Sequence, residues 1–209
     1  MKNIQIKNIE GDLLYEYACK NNTLKLTLQK AVKKGADLEG ADLEGADLRG
    51  AKLKKAKLRR ANLRMAVLEG AYLKRADLGR ANIKSANLRD ADLRGANLRI
   101  SNLGGACLKT AYLRRAKLGD ANLGGADLTG ARLGFANLGN ANLEGANLEG
   151  ANLQIADLGG ANLMGANLKR AHLRKAYLGD ANFKDADLWR SDIRGAYLKG
   201  ADFTSTNTL

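Results

Sequence analysis

The amino-acid sequence predicts an all-β solenoid, in which the chain winds into stacked coils behind a small N-terminal cap. The first observation is a five-residue repeat that runs without interruption from residue 36 to residue 205. The second is the composition, which is 45% hydrophobic but only 5% aromatic, with no proline. Short repeats of fixed period are typical of stacked architectures, and this composition requires a regular aliphatic core.

The repeat consists of 34 units, most of which have the form Ala-Asp/Asn-Leu-X-X. The first position is alanine everywhere except at Ser101 and Ser191. The third position is leucine with four exceptions, which are Ile83, Phe183, Ile193 and Phe203.

A period of five predicts one turn of the chain in every unit. In a helix the leucines would spiral around the axis, and in a straight strand they would alternate between faces. We therefore expect the first and third positions to point inward and the second outward, with the last two forming a corner. Fourteen units have glycine at the fifth position, where a type II turn needs a positive φ. The other twenty, with residues such as Arg115, Phe135 and Ile155, are expected to use another turn type.

The Ala-Asp/Asn-Leu-X-X motif resembles that of the pentapeptide-repeat family, and the resemblance covers 170 of 209 residues. It implies a right-handed quadrilateral parallel β-helix with four units, or 20 residues, in each coil, and hence about 8.5 coils over residues 36–205. The sequence supports this coil length independently. Counting from the unit that contains Asp42, every fourth unit has an acidic or amide residue at its second position. That column contains Asp42, Asn62, Asn82, Asn102, Asn122, Asn142, Asn162, Asn182 and Asp202.

The non-repetitive residues 1–35 are predicted to form a cap that covers the first coil. Two strands, over 4–9 and 13–17, indicate a hairpin. A helix is expected over 23–34, with Asn22 or Thr23 as its N-cap and Gly35 as its stop.

The C-terminal tail, residues 206–209, is too short for a second capping helix. The last coil either frays or pairs end to end with a second copy near Trp189 and Phe203. A monomer and an end-to-end homodimer therefore both remain open.

Catalytic and metal-binding patterns are nearly absent from the sequence. The one histidine, His172, occupies an outward second position, and the coil register places no serine or cysteine nucleophile beside it. Cys19 and Cys107 lack metal-ligand spacing and are interpreted as free thiols. We expect no enzyme activity, no metal and no cofactor. No apolar run of transmembrane length or signal-peptide core is evident, so a cytoplasmic location is expected.

The net charge of +13 is distributed unevenly over the four predicted faces. The face formed by the units that begin at residues 51, 71, 91, 111, 131, 151, 171 and 191 is called the basic face. It has twelve basic residues and only Asp92 and Asp192 as acids, a net charge of +10. The other three faces have net charges of +1, −2 and 0. The candidate binding residues are Lys52, Lys54, Lys55, Lys74, Arg75, Arg94, Arg114, Arg115, Arg132, Arg174, Lys175 and Arg194.

These features favour a rigid, non-catalytic interaction scaffold that docks an acidic partner on the basic face. The partner is a nucleic acid, an anionic membrane surface or an acidic protein. The family resemblance implies an alternative, a DNA mimic that binds DNA gyrase and protects it from quinolones. Such mimics present acidic faces, whereas the most acidic face here has a net charge of only −2. A purely structural spacer is the third interpretation.

Overall fold

A computed structural model describes residues 1–207. Three regular elements precede the repeats: strand β1 (Lys2–Lys7), strand β2 (Leu13–Cys19) and helix α1 (Leu24–Lys34). From residue 36 onward each unit contributes one short parallel bridge, and the bridges run from Asp37↔Lys57 to Asp187↔Asn207. The repeats therefore stack on one another as a β-solenoid, which confirms the predicted all-β solenoid architecture.

The parallel bridges join residues twenty positions apart, so four units complete one coil. The backbone N–H of Leu43 donates to the carbonyl of Asn62 at 2.8 Å, and the N–H of Asn62 donates to the carbonyl of Ala41 at 2.9 Å. This pattern repeats along the solenoid. First-position and third-position side chains fill the interior, as Leu138 does with no exposed surface. The predicted inward and outward positions are confirmed.

The expectation of a second turn type was wrong, because all 34 fifth positions have a positive φ. The fourteen glycines are joined by twenty other residues, including Arg115 at 60°, Phe135 at 61° and Ile155 at 57°. At every corner the next N–H donates back across the turn, as Ala136 does to Leu133 at 2.9 Å. Left-handed backbone costs an L-residue roughly 1–2 kcal/mol. The ladder and core of the neighbouring coils override this local preference.

Asparagine and aspartate at the second position stabilise both the turn and the stack. The Oδ1 atom of Asn142 accepts from the backbone N–H of Glu144 at 3.1 Å, two residues along the chain. It also accepts from Nδ2 of Asn162, one coil away, at 3.3 Å. The amide column identified in the sequence is therefore a ladder of side-chain hydrogen bonds with a structural role.

The N-terminal elements form the predicted hairpin and helix, but the first strand was predicted over 4–9 and ends at Lys7, because Asn8 pairs with Ala41 of the solenoid. Strands β1 and β2 are antiparallel. In α1 the hydroxyl of Thr23 accepts from the N–H of Leu26, and Gly35 ends the helix in the left-handed conformation.

The hairpin and the helix both contact the first coil. The carbonyl of Lys7 accepts from the N–H of Asp42 at 2.8 Å. Oε1 of Gln29 in α1 accepts from the N–H of Lys52 at 2.7 Å. These bonds replace partners that a preceding coil would have supplied.

The C-terminal stacking continues two residues beyond Ser205, since Asn207 pairs with Asp187. Thr208 and Leu209, the rest of the predicted tail, lie outside the described residues. The rings of Phe183 and Phe203 stack with centroids 4.9 Å apart. Ile193 and Leu198 occupy third positions of their units. Third-position residues are buried in the preceding coils, whereas these two are each 37% exposed. The last coil thus presents apolar surface.

Candidate functional site on the basic face

The coil register brings the candidate residues together along one side of the solenoid. Successive bridges link Lys52 to Tyr72, Tyr72 to Asp92 and so on to Asp192, so all eight units of the basic face are stacked in order. Eleven of the twelve predicted cations are exposed, and Lys74 is half-buried. The twelve residues therefore share one side of the solenoid, because the register is never lost, and their role in binding stays a prediction.

A shallow groove of about 280 Å³ crosses three consecutive coils of the basic face. Its lining consists of five cations and one glycine, namely Lys74, Arg75, Arg94, Gly95, Arg114 and Arg115. No carboxylate lines it among the described residues 1–207. Cations concentrated on one concave surface produce a strong positive potential that attracts anions.

The two aspartates of the basic face are each held by an arginine. Arg94 forms two hydrogen bonds to the Asp92 carboxylate, each of 2.7 Å. Arg194 does the same to Asp192, at 2.8 and 2.7 Å. These charge-assisted bonds hold the pKa values of both carboxyl groups below their ordinary range. Both aspartates are therefore ionised at neutral pH, and each reduces the local positive charge.

Aromatic rings lie among the cations in the middle of the basic face. The guanidinium groups of Arg114 and Arg115 lie 5.1 and 5.7 Å from the ring centroid of Phe135. That of Arg132 lies 4.8 Å from the centroid of Tyr112. Phe135 as a residue is 43% exposed. Such cation–π contacts orient the guanidinium groups without neutralising their charge.

A second groove of about 570 Å³ lies next to the first. The two grooves share Arg114. The remaining lining residues are Gly130, Arg132, Gly134, Phe135, Gly150, Asn152 and Gln154. Towards the C-terminus the cations resume at Arg174 and Lys175.

The structure adds two cations that the repeat pattern did not identify. Lys30 and Lys33 of α1 share a groove of about 370 Å³ with Lys52 and Lys54. The cap therefore extends the basic face beyond the first coil. Their position depends on how α1 packs against the solenoid, which the repeat alone does not reveal.

The other candidate chemistry stays dispersed. His172 is exposed on the basic face, and Cys19 and Cys107 are free thiols. Among residues 1–207, no group of three or more His, Cys, Asp or Glu side chains is placed to hold a metal ion. The helix in the described part of the chain is too short and too polar to cross a membrane.

Comparison with solved structures identifies several similar proteins. HetL, a pentapeptide repeat protein from Nostoc sp. strain PCC 7120 involved in heterocyst differentiation regulation, is 38% identical. That match covers 81% of this chain and 84% of HetL, with a TM-score of 0.40. Rfr23 from Cyanothece 51142 is 37% identical over 47% of this chain and 64% of its own, with a TM-score of 0.42.

QnrB1, a plasmid-mediated fluoroquinolone resistance protein, is only 18% identical, with a TM-score of 0.50. That match covers 68% of this chain and 70% of QnrB1. It shows a shared fold alone. No curated protein sequence matches the chain.

The family model for pentapeptide repeats matches eight copies, over residues 34–64, 61–99, 106–145, 131–170, 141–180 and 181–207. These matches span most of the solenoid, and their period is that of the bridges and corners described above. The chain therefore belongs to the pentapeptide repeat family.

Proposed function

We propose that the protein is a rigid, non-catalytic scaffold whose basic face docks an acidic macromolecule. The observation that carries the proposal is the groove over three consecutive coils, lined by Lys74, Arg75, Arg94, Arg114 and Arg115. Only Arg94 of these five is paired with a carboxylate within residues 1–207. The remaining charge is available to a partner.

The stacking of like charges supports a binding role over a merely solvated surface. Like charges on neighbouring strands destabilise a sheet, and alternating signs would give the same solubility without repulsion. The other faces follow that alternative, since Arg64 pairs with Glu44 and Lys109 pairs with Asp127 across adjacent coils. The basic face instead keeps its cations together.

In this proposal the protein acts in the cytoplasm, a reducing compartment that suits its two free thiols. The gyrase-binding mimic is less well supported. The column expected to be acidic in such a mimic is a neutral ladder of asparagines, whose hydrogen bonds hold the coils together.

Charge reversal of four residues tests the proposal. We expect a variant with Arg114, Arg115, Arg174 and Lys175 changed to glutamate to lose retention on immobilised heparin. The matched control changes Arg59, Arg60, Lys84 and Lys184 to glutamate. It alters net charge equally on two other faces and should keep most of the retention. Circular dichroism checks that both variants fold. Retention that is equal in the two variants would contradict the proposal.

A pull-down from cell extract at low and high salt, with a gyrase supercoiling assay, separates the alternatives. Salt-sensitive recovery of an acidic macromolecule supports the docking face. Inhibition of supercoiling supports the mimic instead, and neither result supports the spacer.

A further inference from the structure

We propose that the partner of the basic face is single-stranded nucleic acid, bound along the two grooves that share Arg114. This inference rests on the proposed function and makes it more specific. The strand would follow the solenoid axis from the unit beginning at residue 71 to the unit beginning at residue 151. Binding would not depend on base sequence.

The first argument is the shape of the surface. The two grooves share Arg114 and together reach across five consecutive coils, and the second also borders Gly130 and Gly150 at the corner with the preceding face. With stacked strands separated by about 4.8 Å, they extend over roughly 19 Å. An elongated, positively charged surface fits an extended anionic chain. It fits a broad lipid surface less well.

The second argument is the choice of cation. Arginine supplies Arg75, Arg94, Arg114, Arg115 and Arg132, whereas lysine supplies only Lys74. The guanidinium group binds phosphate through two parallel hydrogen bonds and also stacks on flat rings. Simple charge attraction would be served equally by lysine.

The third argument is the exposed aromatic surface inside the groove. Phe135 lies beside Arg114 and Arg115 and keeps 43% of its surface accessible. Gly130, Gly134 and Gly150 line the same groove and keep it open, because they have no side chains. A nucleobase has a flat face that can stack there, whereas an acidic peptide has no general counterpart.

The same feature favours a single strand over a duplex. In a duplex the base faces are already stacked on one another, so they cannot contact Phe135. A duplex would use the cations alone. Single-strand binding proteins commonly combine a cationic groove with aromatic stacking platforms.

The direct test measures fluorescence anisotropy of a fluorescein-labelled oligothymidylate of about 15 nucleotides. Five groove cations have no carboxylate partner within residues 1–207: Lys74, Arg75, Arg114, Arg115 and Arg132. If each contacts one phosphate, the slope of log K against log salt should be about −3.5. The double variant R114E/R115E should weaken binding at least about 10-fold. The matched double variant R59E/R60E changes the same repeat positions on another face and should bind within about twofold of the parent.

Substitution of Phe135 separates base stacking from charge. F135L preserves apolar bulk but removes the ring, so affinity for the oligonucleotide should fall about 10-fold. Heparin has no bases, and its retention should be unchanged in F135L. Equal oligonucleotide affinity in the parent and F135L would overturn the inference.

Competition identifies the partner class. The inference is supported if the single strand binds more tightly than a duplex of the same length, poly-glutamate or phosphatidylserine vesicles. Tighter binding of any of these three overturns it. The proposed docking function would survive that result, provided the four-residue reversal still abolishes retention on heparin. If that reversal leaves retention unchanged, the docking function itself is contradicted.

Discussion

The side-chain amide of Asn162 donates a hydrogen bond to the side-chain carbonyl of Asn142, 20 positions earlier, at 3.3 Å. Asn142 in turn donates to Asn122 at 3.4 Å. Each asparagine therefore joins the coil before it to the coil after it. The bond is modest, but the ladder repeats it along one face.

Substitution in the middle of this ladder should lower stability in a graded way. Asn142→Ala removes both inter-coil bonds and the bond to the N–H of Glu144, so we expect a loss of about 1–2 kcal/mol in the free energy of unfolding. Asn142→Asp keeps the accepting oxygen and should lose less. Urea unfolding monitored by circular dichroism measures both. A variant Asn142→Ala that is as stable as the parent would show that water replaces these bonds.

The interior positions predict a larger effect. Leu138 has no exposed surface, and Leu138→Ala should destabilise the protein by about 2–5 kcal/mol, because it removes apolar burial and leaves a cavity. Lys84→Ala, at an exposed fourth position, is the control and should change stability by less than about 0.5 kcal/mol. The same urea experiment compares the two, and equal unfolding midpoints would contradict the inward assignment.

The corner geometry predicts that exchanging residues at fifth positions changes stability in opposite directions. Ile155 has a φ of 57°, which is unfavourable for a β-branched residue. Ile155→Asn should stabilise the protein by about 1 kcal/mol, because asparagine tolerates this region. Gly125 has a φ of 63° with open space around its Cα, and Gly125→Ile should cost roughly 1–2 kcal/mol. Thermal unfolding of the two variants tests the pair, and a shift of both in the same direction would contradict it.

Removal of the Asp92 carboxylate should strengthen binding of a polyanion. Arg94 holds the pKa of Asp92 below its ordinary range, so the carboxylate is charged throughout the neutral range. Its negative charge partly cancels the positive charge of the groove. The substitution Asp92→Asn frees Arg94 from its ion pair. We expect the variant protein to elute from heparin at higher salt than the parent. Asp120→Asn, which frees Arg99 on another face, changes net charge equally and should elute nearer the parent. Identical shifts would indicate that only total charge matters.

The same lowered pKa has a consequence for stability at acid pH. A carboxyl group whose pKa is lower in the folded state stabilises the fold above its unfolded pKa of about 3.9. That contribution is lost as pH falls through the folded value. The stabilisation that the Asp92 ion pair provides should therefore be constant between about pH 5 and 8. It should decrease only in stronger acid, where the carboxylate becomes protonated.

The exposed apolar surface of the last coil predicts self-association of the 209-residue chain. Leu188, Ser191, Ile193, Leu198 and Phe203 line a groove of about 370 Å³ there. Within residues 1–207 the N–H groups of Ile193, Leu198 and Phe203 have no backbone acceptor, so a second copy can extend the ladder. Light scattering should show a dimer at high concentration and a monomer for Leu198→Asp. A strict monomer at every concentration would contradict the prediction.

The sequence was sufficient for the features that depend on the repeat and its register. Leucine and alanine at fixed positions predicted the core, and the column from Asp42 to Asp202 predicted the 20-residue coil. The same register placed Arg114 and Arg174 on one face. Arg115 and Phe135 are 20 positions apart, so the register also places them in adjacent coils of the same face. The pattern of charge alone did not reveal their contact.

Other features needed the three-dimensional structure because they depend on competition between local and long-range forces. The side chains at Phe135 and Ile155 favour a negative φ, and stacking forces the opposite. The contribution of Lys30 and Lys33 depends on the packing of α1 on the first coil. The repeat does not encode that packing, and neither does it encode the bond from Lys52 to Gln29.

The 20-residue coil also determines how this chain tolerates insertions and deletions. Removal of one unit in mid-chain would preserve every corner and every buried leucine, yet turn all later faces by a quarter. Arg174 and Lys175 would then point away from Arg114, and the continuous cationic surface would be divided. Removal of four units would shorten the molecule and keep each face aligned. Insertions or deletions of whole coils therefore keep each residue on its original face. Insertion or deletion of a single unit moves all later residues to a different face.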